Sequence, residues 1–214
     1  MKSAYPELPL IKNPKSTSVS LEESVHYLLG LTDECNARAV YSIMVAEASR
    51  TDDKKSFRSA GEYNYAGVQT DGNRWGYSDP IVSVFRRTDS GGNYREFAGF
   101  KNNAGFFDFM ANRIKDKGFD GCNADNWTET YIQKWWSPKA KASYTKGTEK
   151  YNAKKSIYNT AQKQFDEYKK TFKGRIGGAN GDKKGRKILI GIGIGILVLG
   201  IAGTTAYFIW KQKN

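Results

Sequence analysis

Histidine and cysteine, two common ligands of transition metals, are scarce in this chain. It has one histidine, His26, and two cysteines, Cys35 and Cys122, among 214 residues. The spacing of the cysteines fits no metal motif. The lone histidine lies in a helical stretch, where we expect it to be a surface or packing residue. We therefore expect no metal ion and no cofactor.

The chain also lacks an apolar run near its start. The first eighteen residues contain three prolines and no hydrophobic core of a signal peptide. We therefore expect synthesis in the cytosol. A bridge between Cys35 and Cys122 would close a long loop and stabilise the fold by roughly 4–5 kcal/mol. Nothing else in the chain demands an oxidising compartment, so we expect two free thiols.

Negative charge is scarce in the C-terminal third. Residues 134–187 contain sixteen Lys and Arg against four Asp and Glu, whereas residues 1–133 contain sixteen against eighteen. Such a basic region suits anionic lipid, nucleic acid or an acidic wall polymer as a partner, although a solvated face beside a membrane anchor has the same composition. The sequence leaves these alternatives open, and it leaves the oligomeric state open as well.

One long uncharged run is present. Residues 188–210, ILIGIGIGILVLGIAGTTAYFIW, comprise 23 residues without a charge, and as a helix they would span a bilayer core of about 30 Å. We predict a single transmembrane helix that anchors the protein in a lipid membrane by its tail. A basic, glycine-rich linker over 174–187 precedes it and a short tail, 211–214, follows. Basic residues at both ends leave the orientation undecided.

Helical signals dominate the remainder. Ser20 and Glu23 form a capping box for a helix that ends near Gly30. Thr32 or Asp33 caps the next helix, which we predict to run to about Arg50. Helical patterns return over 103–118, in WTETYIQKWWS and in a long last helix over 151–172, where an aromatic stripe predicts packing on the domain or on a partner.

Residues 63–100 differ from this pattern because they contain two hairpin signals. One is the Asp-Gly pair in YNYAGVQTDGNRWGY, and the other is TDSGGN between IVSVFRR and YREFAGF. We therefore predict a mainly α, α+β domain with a small β-hairpin lobe over residues 20–173, preceded by an N-terminal arm, 1–19.

One carboxylate lies on the apolar side of the second helix. Glu47 projects within about 20° of Val40 and lies one turn beyond Ile43 and Met44. Burial and the negative end of the helix dipole both raise the pKa of a carboxyl group at this place. A neutral carboxylic acid near pH 6–7 has the property that a general acid needs. The alternative is a glutamate at the rim of the stripe that reaches water.

The order of these features resembles the lysozyme-like superfamily of peptidoglycan-cleaving enzymes. A helix ending in Glu47 is followed by Asn64-Tyr65-Ala66-Gly67, by hairpins and by the Phe-rich REFAGFKNNAGFFDFM. In pattern this is most similar to autolysin- and flagellar-type N-acetylglucosaminidases, and less so to goose-type lysozymes and lytic transglycosylases. The resemblance implies a lysozyme-like fold, a catalytic acid at Glu47 and a sugar groove floored by the Asn-x-x-Gly segment.

The same resemblance implies a second carboxylate in the β-lobe for a hydrolase. The candidates are Asp71, Asp79 and Glu96, although Asp71 and Asp79 also have the positions of turn residues. A lytic transglycosylase needs only one acid, because the 6-hydroxyl of the sugar attacks in place of water. The sequence leaves hydrolysis and transglycosylation open.

Aromatic rings and amides around the first hairpin are candidates for substrate binding. Sugar rings stack on aromatic faces, and N-acetyl groups bond to amides. The predicted substrate-binding residues are Tyr63, Asn64, Tyr65, Gln69, Trp75 and Tyr77, with Trp135 and Trp136 on a far wall.

Two classes of function fit these features. One is a membrane-anchored enzyme that cleaves peptidoglycan glycan strands, such as a lysin carried in a membrane-containing bacteriophage virion and used at entry. The other is a non-catalytic structural or assembly protein of such a virion that retains a lysozyme-like fold, because a fold alone does not give activity. A nucleic-acid-binding membrane protein is a weaker third option.

Overall fold

Side-chain caps precede the first turns of the helices in this α+β fold. The computed structural model describes residues 8–70, 80–88, 92–136 and 144–172. Within these ranges the helices are α1 (Leu21–Leu31), α2 (Glu34–Glu47), α3 (Asn103–Asp116), α4 (Ala124–Thr130), which continues into a π-helical turn (Tyr131–Trp136), and α5 (Glu149–Lys169). The Ser20 side chain accepts a hydrogen bond from the Glu23 amide, and that of Asp33 accepts one from the Asn36 amide. The predicted first cap is thus confirmed, and Asp33 is the cap of α2.

The second helix is shorter than predicted. α2 ends at Glu47, because Ala48 is extended and Ser49–Arg50 forms strand β3. Glu47 is therefore the last helical residue, at the negative end of the helix dipole. This places the carboxylate at the junction between the helical part of the domain and a sheet.

Two three-stranded sheets accompany the helices. In the first, β5 (Ile81–Thr88) pairs antiparallel with β6 (Tyr94–Phe100) and parallel with β1 (Leu10–Ile11). In the second, β4 (Ser56–Arg58) pairs antiparallel with both β2 (Ser18–Ser20) and β3. The hairpin predicted from IVSVFRR and YREFAGF is confirmed. Strands β1 and β2 also bring part of the predicted arm, 1–19, into the sheets.

The aromatic stripe of the last helix lies in the core. Tyr151, Tyr158 and Phe165 are buried, and Phe172 is half-buried against the same core. Tyr41 of α2 contacts Phe165 edge to face, with ring centroids 5.8 Å apart. The stripe therefore packs on the domain itself, which resolves the choice between the domain and a partner.

A disulfide joins Cys35 to Cys122, so the prediction of two free thiols is wrong. Their Cα atoms are 5.0 Å apart across a sequence separation of 87 residues. Gly121 permits this approach, because a Cβ atom there would lie 2.1 Å from the backbone oxygen of Cys35. The packing of these remote segments brings the sulfurs together, which sequence spacing could not indicate.

None of the helices in the described ranges has the length and apolar character needed to cross a bilayer. The linker predicted over 174–187, the transmembrane helix predicted over 188–210 and the tail 211–214 lie outside the described residues. The turn of the first predicted hairpin, at Asp71 and Gly72, lies outside them as well.

Candidate active site

Glu47 is held between a loop and a tyrosine. Its side chain is half-buried at the C-terminal end of α2. A Cβ atom placed on Gly67 would be 3.7 Å from Glu47 Oε2, so the backbone of the Asn-x-x-Gly segment lies beside one carboxylate oxygen. The other oxygen, Oε1, accepts a hydrogen bond of 2.5 Å from the Tyr131 hydroxyl.

The loop beside Glu47 is organised by Asn64. The side-chain nitrogen of Asn64 donates hydrogen bonds to the backbone oxygens of Val68 and Ala98, at 3.0 and 2.8 Å. Its side-chain oxygen accepts a hydrogen bond of 2.9 Å from the backbone N–H of Val68. These bonds close a tight turn and fasten it to β6. Gly67 has a φ of +62°, which favours glycine. Asparagine and glycine at this spacing are therefore explained by the turn they build next to the acid.

The residues just before Asn64 adopt a backbone conformation that is rare for residues other than glycine. Glu62 and Tyr63 have φ values of +46° and +61°. The Glu62 carboxylate accepts a hydrogen bond of 2.7 Å from the Lys15 amide, and the Phe100 amide donates to the Glu62 backbone oxygen at 2.8 Å. Such conformations persist only where the surroundings enforce them, and they cluster at functional sites.

The packing of α4 against α2 places Tyr131 next to Glu47. The indole nitrogen of Trp127 in α4 donates to the Ala39 backbone oxygen in α2 at 3.2 Å. The buried Tyr131 ring stacks on Trp127, with centroids 4.9 Å apart and an interplanar angle of 7°. Tyr131 is the first residue of the π-helical turn, and such turns are frequent at functional sites.

Burial is the main influence on the Glu47 carboxyl group. It raises the pKa of Glu47, while the Tyr131 hydrogen bond and the positive charge of Lys154 lower it to a smaller extent. Burial and the nearby Glu47 charge raise the pKa of Tyr131, so its phenol remains a hydrogen-bond donor. Lys154 lies on α5 with its Nζ atom 5.6 Å from the centroid of the Tyr131 ring.

The structure separates the predicted substrate-binding residues into groups. Tyr63 is half-buried and Gln69 is exposed, which is compatible with contact to a ligand. Asn64 and Tyr65 have no exposed surface. The Tyr65 hydroxyl donates to Asn103 at 2.8 Å and bonds to Thr17 at 2.9 Å. We therefore correct the prediction for Asn64 and Tyr65, because these side chains shape the loop and have no surface with which to bind a sugar.

Asp71, Asp79, Trp75 and Tyr77 are outside the described residues, and their predicted roles stay predictions. Trp135 is partly buried against the core.

Glu96, the third candidate for a second carboxylate, is buried in β6. One of its oxygens accepts a hydrogen bond of 2.9 Å from the Thr70 hydroxyl, and the other lies 3.4 Å from the Arg86 guanidinium. These contacts fasten the end of the Asn64 loop to the hairpin.

One group of potential metal ligands occurs among the described residues. The sulfur atoms of Cys35 and Cys122 and a carboxylate oxygen of Asp120 lie within 4.8 Å of one another. Both sulfurs are joined in the disulfide, and a metal ligand requires a thiolate. In its bridged form this group is therefore not a metal centre.

Tyr131 and Lys154 are the site residues that sequence reasoning missed. Tyr131 lies 84 positions after Glu47, and the order of residues gives no local sign of their contact. Lys154 occurs among many lysines in a basic stretch. The aromatic stripe of α5 was the one usable signal, because it fixes which side of that helix faces α2.

Comparison with known proteins finds no matching protein-family model, no matching curated protein and no matching solved structure. The function of the protein is therefore inferred from the geometry around Glu47 and from its sequence.

Proposed function

We propose that this protein is a membrane-anchored enzyme with a lysozyme-like domain that cleaves the glycan strands of peptidoglycan, with Glu47 as its general acid. One observation carries the proposal. A carboxyl group at the end of a core helix has a pKa raised by burial, and it lies between the Asn64–Gly67 loop and the Tyr131 hydroxyl. The anchor in this proposal is the uncharged run at residues 188–210.

The surroundings of Glu47 suit both states of a general acid, the protonated state before proton transfer and the ionised state after it. Before transfer, burial favours the protonated acid, which can donate to the oxygen of a glycosidic bond. As the bond to that oxygen breaks, the sugar develops positive charge at its anomeric carbon and Glu47 becomes a carboxylate. The Tyr131 hydroxyl then stabilises the carboxylate, because its hydrogen bond favours the ionised form.

Two acceptors could complete the reaction. Water attack at the anomeric carbon gives a reducing end, whereas attack by the 6-hydroxyl of the same sugar gives a 1,6-anhydro end and returns a proton to Glu47. Mass spectrometry of the released fragments distinguishes the two products. A second carboxylate is needed only for the hydrolytic route.

A peptidoglycan-clearing assay with the full chain in detergent tests the role of Glu47. We expect Glu47→Gln to lower the rate of clearing by about 10²–10⁴-fold, because an amide cannot donate a proton in this way. Glu167→Gln is the matched control, since Glu167 is exposed on α5, and we expect it to keep wild-type activity.

The assay has two outcomes that contradict the proposal. Equal clearing by the wild type and by Glu47→Gln would show that Glu47 is not the acid. No clearing by a folded wild-type protein would favour a non-catalytic structural protein that keeps the fold.

A further inference from the structure

Two lysines of α5 lie on the same face of the helix. Lys150 and Lys154 are one helical turn apart, and each has its Nζ atom 5.6 Å from the centroid of a tyrosine ring. Lys150 lies over Tyr144, and Lys154 lies over Tyr131. Tyr144 is close enough to Tyr131 to raise its pKa through charge. Tyr131 and Lys154 therefore lie beside the acid, and the pair of Lys150 and Tyr144 lies one helical turn before Lys154 on α5.

The neighbouring lysines have a different environment. Lys146 and Lys155 form ion pairs with Asp125 at 2.7 and 2.8 Å, and the Tyr151 hydroxyl donates to the same carboxylate at 3.0 Å. This second cluster ties the start of α5 to α4. Lys150 and Lys154 place positive charge next to the rings of Tyr144 and Tyr131, and Lys154 also interacts through charge with Glu47.

We propose that Lys150 and Lys154, with the rings of Tyr144 and Tyr131, form a subsite for carboxylate groups carried by the substrate strand. The inference rests on the proposed glycan-cleaving function and assigns a binding place to the acidic substituents of the substrate strands. Peptidoglycan has such groups on the short peptides attached to its sugars. An ammonium group is a compact positive charge that can bind a carboxylate from many directions. This suits a flexible substituent.

Binding at this subsite would also act on the acid. The positive charge of Lys154 lowers the pKa of Glu47. A substrate carboxylate at Lys154 would offset that charge, so that Glu47 would keep its proton to higher pH when an acidic strand is bound. The subsite thereby couples recognition of the correct substrate to the protonation of the acid.

The test measures binding in the absence of turnover. The full-length Glu47→Gln protein is sedimented with insoluble peptidoglycan that has been freed of teichoic acid. We expect the additional pair Lys150→Met and Lys154→Met to weaken binding by about fivefold, since two partly exposed charge pairs are lost. The matched control is Lys163→Met with Lys170→Met, two exposed lysines at the other end of the same helix region, and we expect no change.

Two further binding experiments test whether the loss of peptidoglycan binding is due to the loss of charge. Replacing Lys150 and Lys154 by arginine should restore binding, which a merely structural loss would not predict. Peptidoglycan whose carboxyl groups have been converted to methylamides should bind the Glu47→Gln protein and its two-methionine variant equally. Equal binding of these two proteins to untreated peptidoglycan would overturn the inference.

Failure of the inference is distinguishable from failure of the proposed function. Cleavage by the wild type with binding that does not depend on Lys150 and Lys154 would reject the subsite and leave the enzyme. Charge-dependent binding without cleavage by the wild type would reject the enzyme and support a carboxylate-binding surface.

Discussion

At the scale of single residues, the site is a balance of opposing influences on one proton. Burial raises the pKa of Glu47, whereas the Tyr131 hydroxyl and the Lys154 charge lower it. A fully solvated carboxylate would lose its proton well below neutral pH, and an isolated buried one would hold it too tightly to donate. The neighbours of Glu47 therefore tune an acid that, in the proposed reaction, has to change its charge.

Substituting Tyr131 by phenylalanine tests this balance. The Tyr131 hydrogen bond lowers the pKa of Glu47, so its loss raises that pKa further, and a general acid is active below its pKa. We therefore expect the alkaline limb of the pH–rate profile to move to higher pH. The rate at pH 6 should fall by about 10–100-fold, because one hydrogen bond to a carboxylate is lost, which is worth about 1.5–3 kcal/mol.

Tyr158→Phe is a suitable control for this measurement. It also removes a buried hydroxyl, which donates to the Gly121 backbone oxygen at 2.8 Å. A shift of the alkaline limb in both variants, or in neither, would contradict the assignment of Tyr131.

At the scale of elements, the site depends on how closely α4 approaches α2. Glu47 ends α2, and Tyr131 follows the last residue of α4. Gly121 lies where the segment before α4 touches α2. A Cβ atom there would lie 2.3 Å from the Ala39 backbone nitrogen as well as 2.1 Å from the Cys35 oxygen. Both contacts are with backbone, so no side chain can move aside to relieve them.

We expect Gly121→Ala to force α4 away from α2 and to lower both stability and activity. The clash with backbone should cost about 1–3 kcal/mol of unfolding free energy, as overpacking does in cores. The matched change is Gly147→Ala, where φ is +92° but no atom lies within 4 Å of the added Cβ. Denaturant unfolding and the clearing assay measure the two effects.

The two glycine variants separate strain from packing. Gly147→Ala should lose only about 1–2 kcal/mol of unfolding free energy, because alanine is strained at a positive φ angle. It should keep its activity. Equal activity of Gly121→Ala and Gly147→Ala would show that the Glu47–Tyr131 contact does not depend on this approach.

At the scale of the whole molecule, the disulfide links the two elements that carry the site. Cys35 is in the first turn of α2 and Cys122 immediately precedes the cap of α4. The other ends of the same elements bring Glu47 to Tyr131. The covalent bond therefore restrains, in the unfolded chain, the same pair of segments that must meet in the folded one.

Reduction of the disulfide tests this restraint. With a sequence separation of 87 between the two cysteines, the chain-entropy model predicts a loss of roughly 4–5 kcal/mol of unfolding free energy. Urea unfolding with and without a phosphine reductant measures the loss. A variant with both cysteines replaced by alanine should already have the lower stability and should not respond to the reductant. A response of that variant would assign the effect to something other than the bridge.

Part of the candidate site could be predicted from local sequence. Helical periodicity places Glu47 on the apolar side of α2, and the family resemblance singles out the Asn64–Gly67 segment as the floor of a sugar groove, without indicating the turn that it forms. The motif did not reveal that Asn64 and Tyr65 are buried, since an amide or a phenol can equally face a ligand or the backbone. Their burial follows from β6 and α3 covering the loop, which local sequence does not encode.

The sequence by itself determined the elements that depend on neighbouring residues: the Ser20 cap, the hairpin of β5 and β6, and the helix that carries Glu47. Backbone periodicity and capping act over a few residues, so they can be read locally. Only the tertiary structure decided that Tyr131 bonds to Glu47, that Lys154 lies over Tyr131 and that Cys35 meets Cys122. Those contacts join residues far apart in the chain, and they exist because α2, α4 and α5 pack against one another in one particular arrangement.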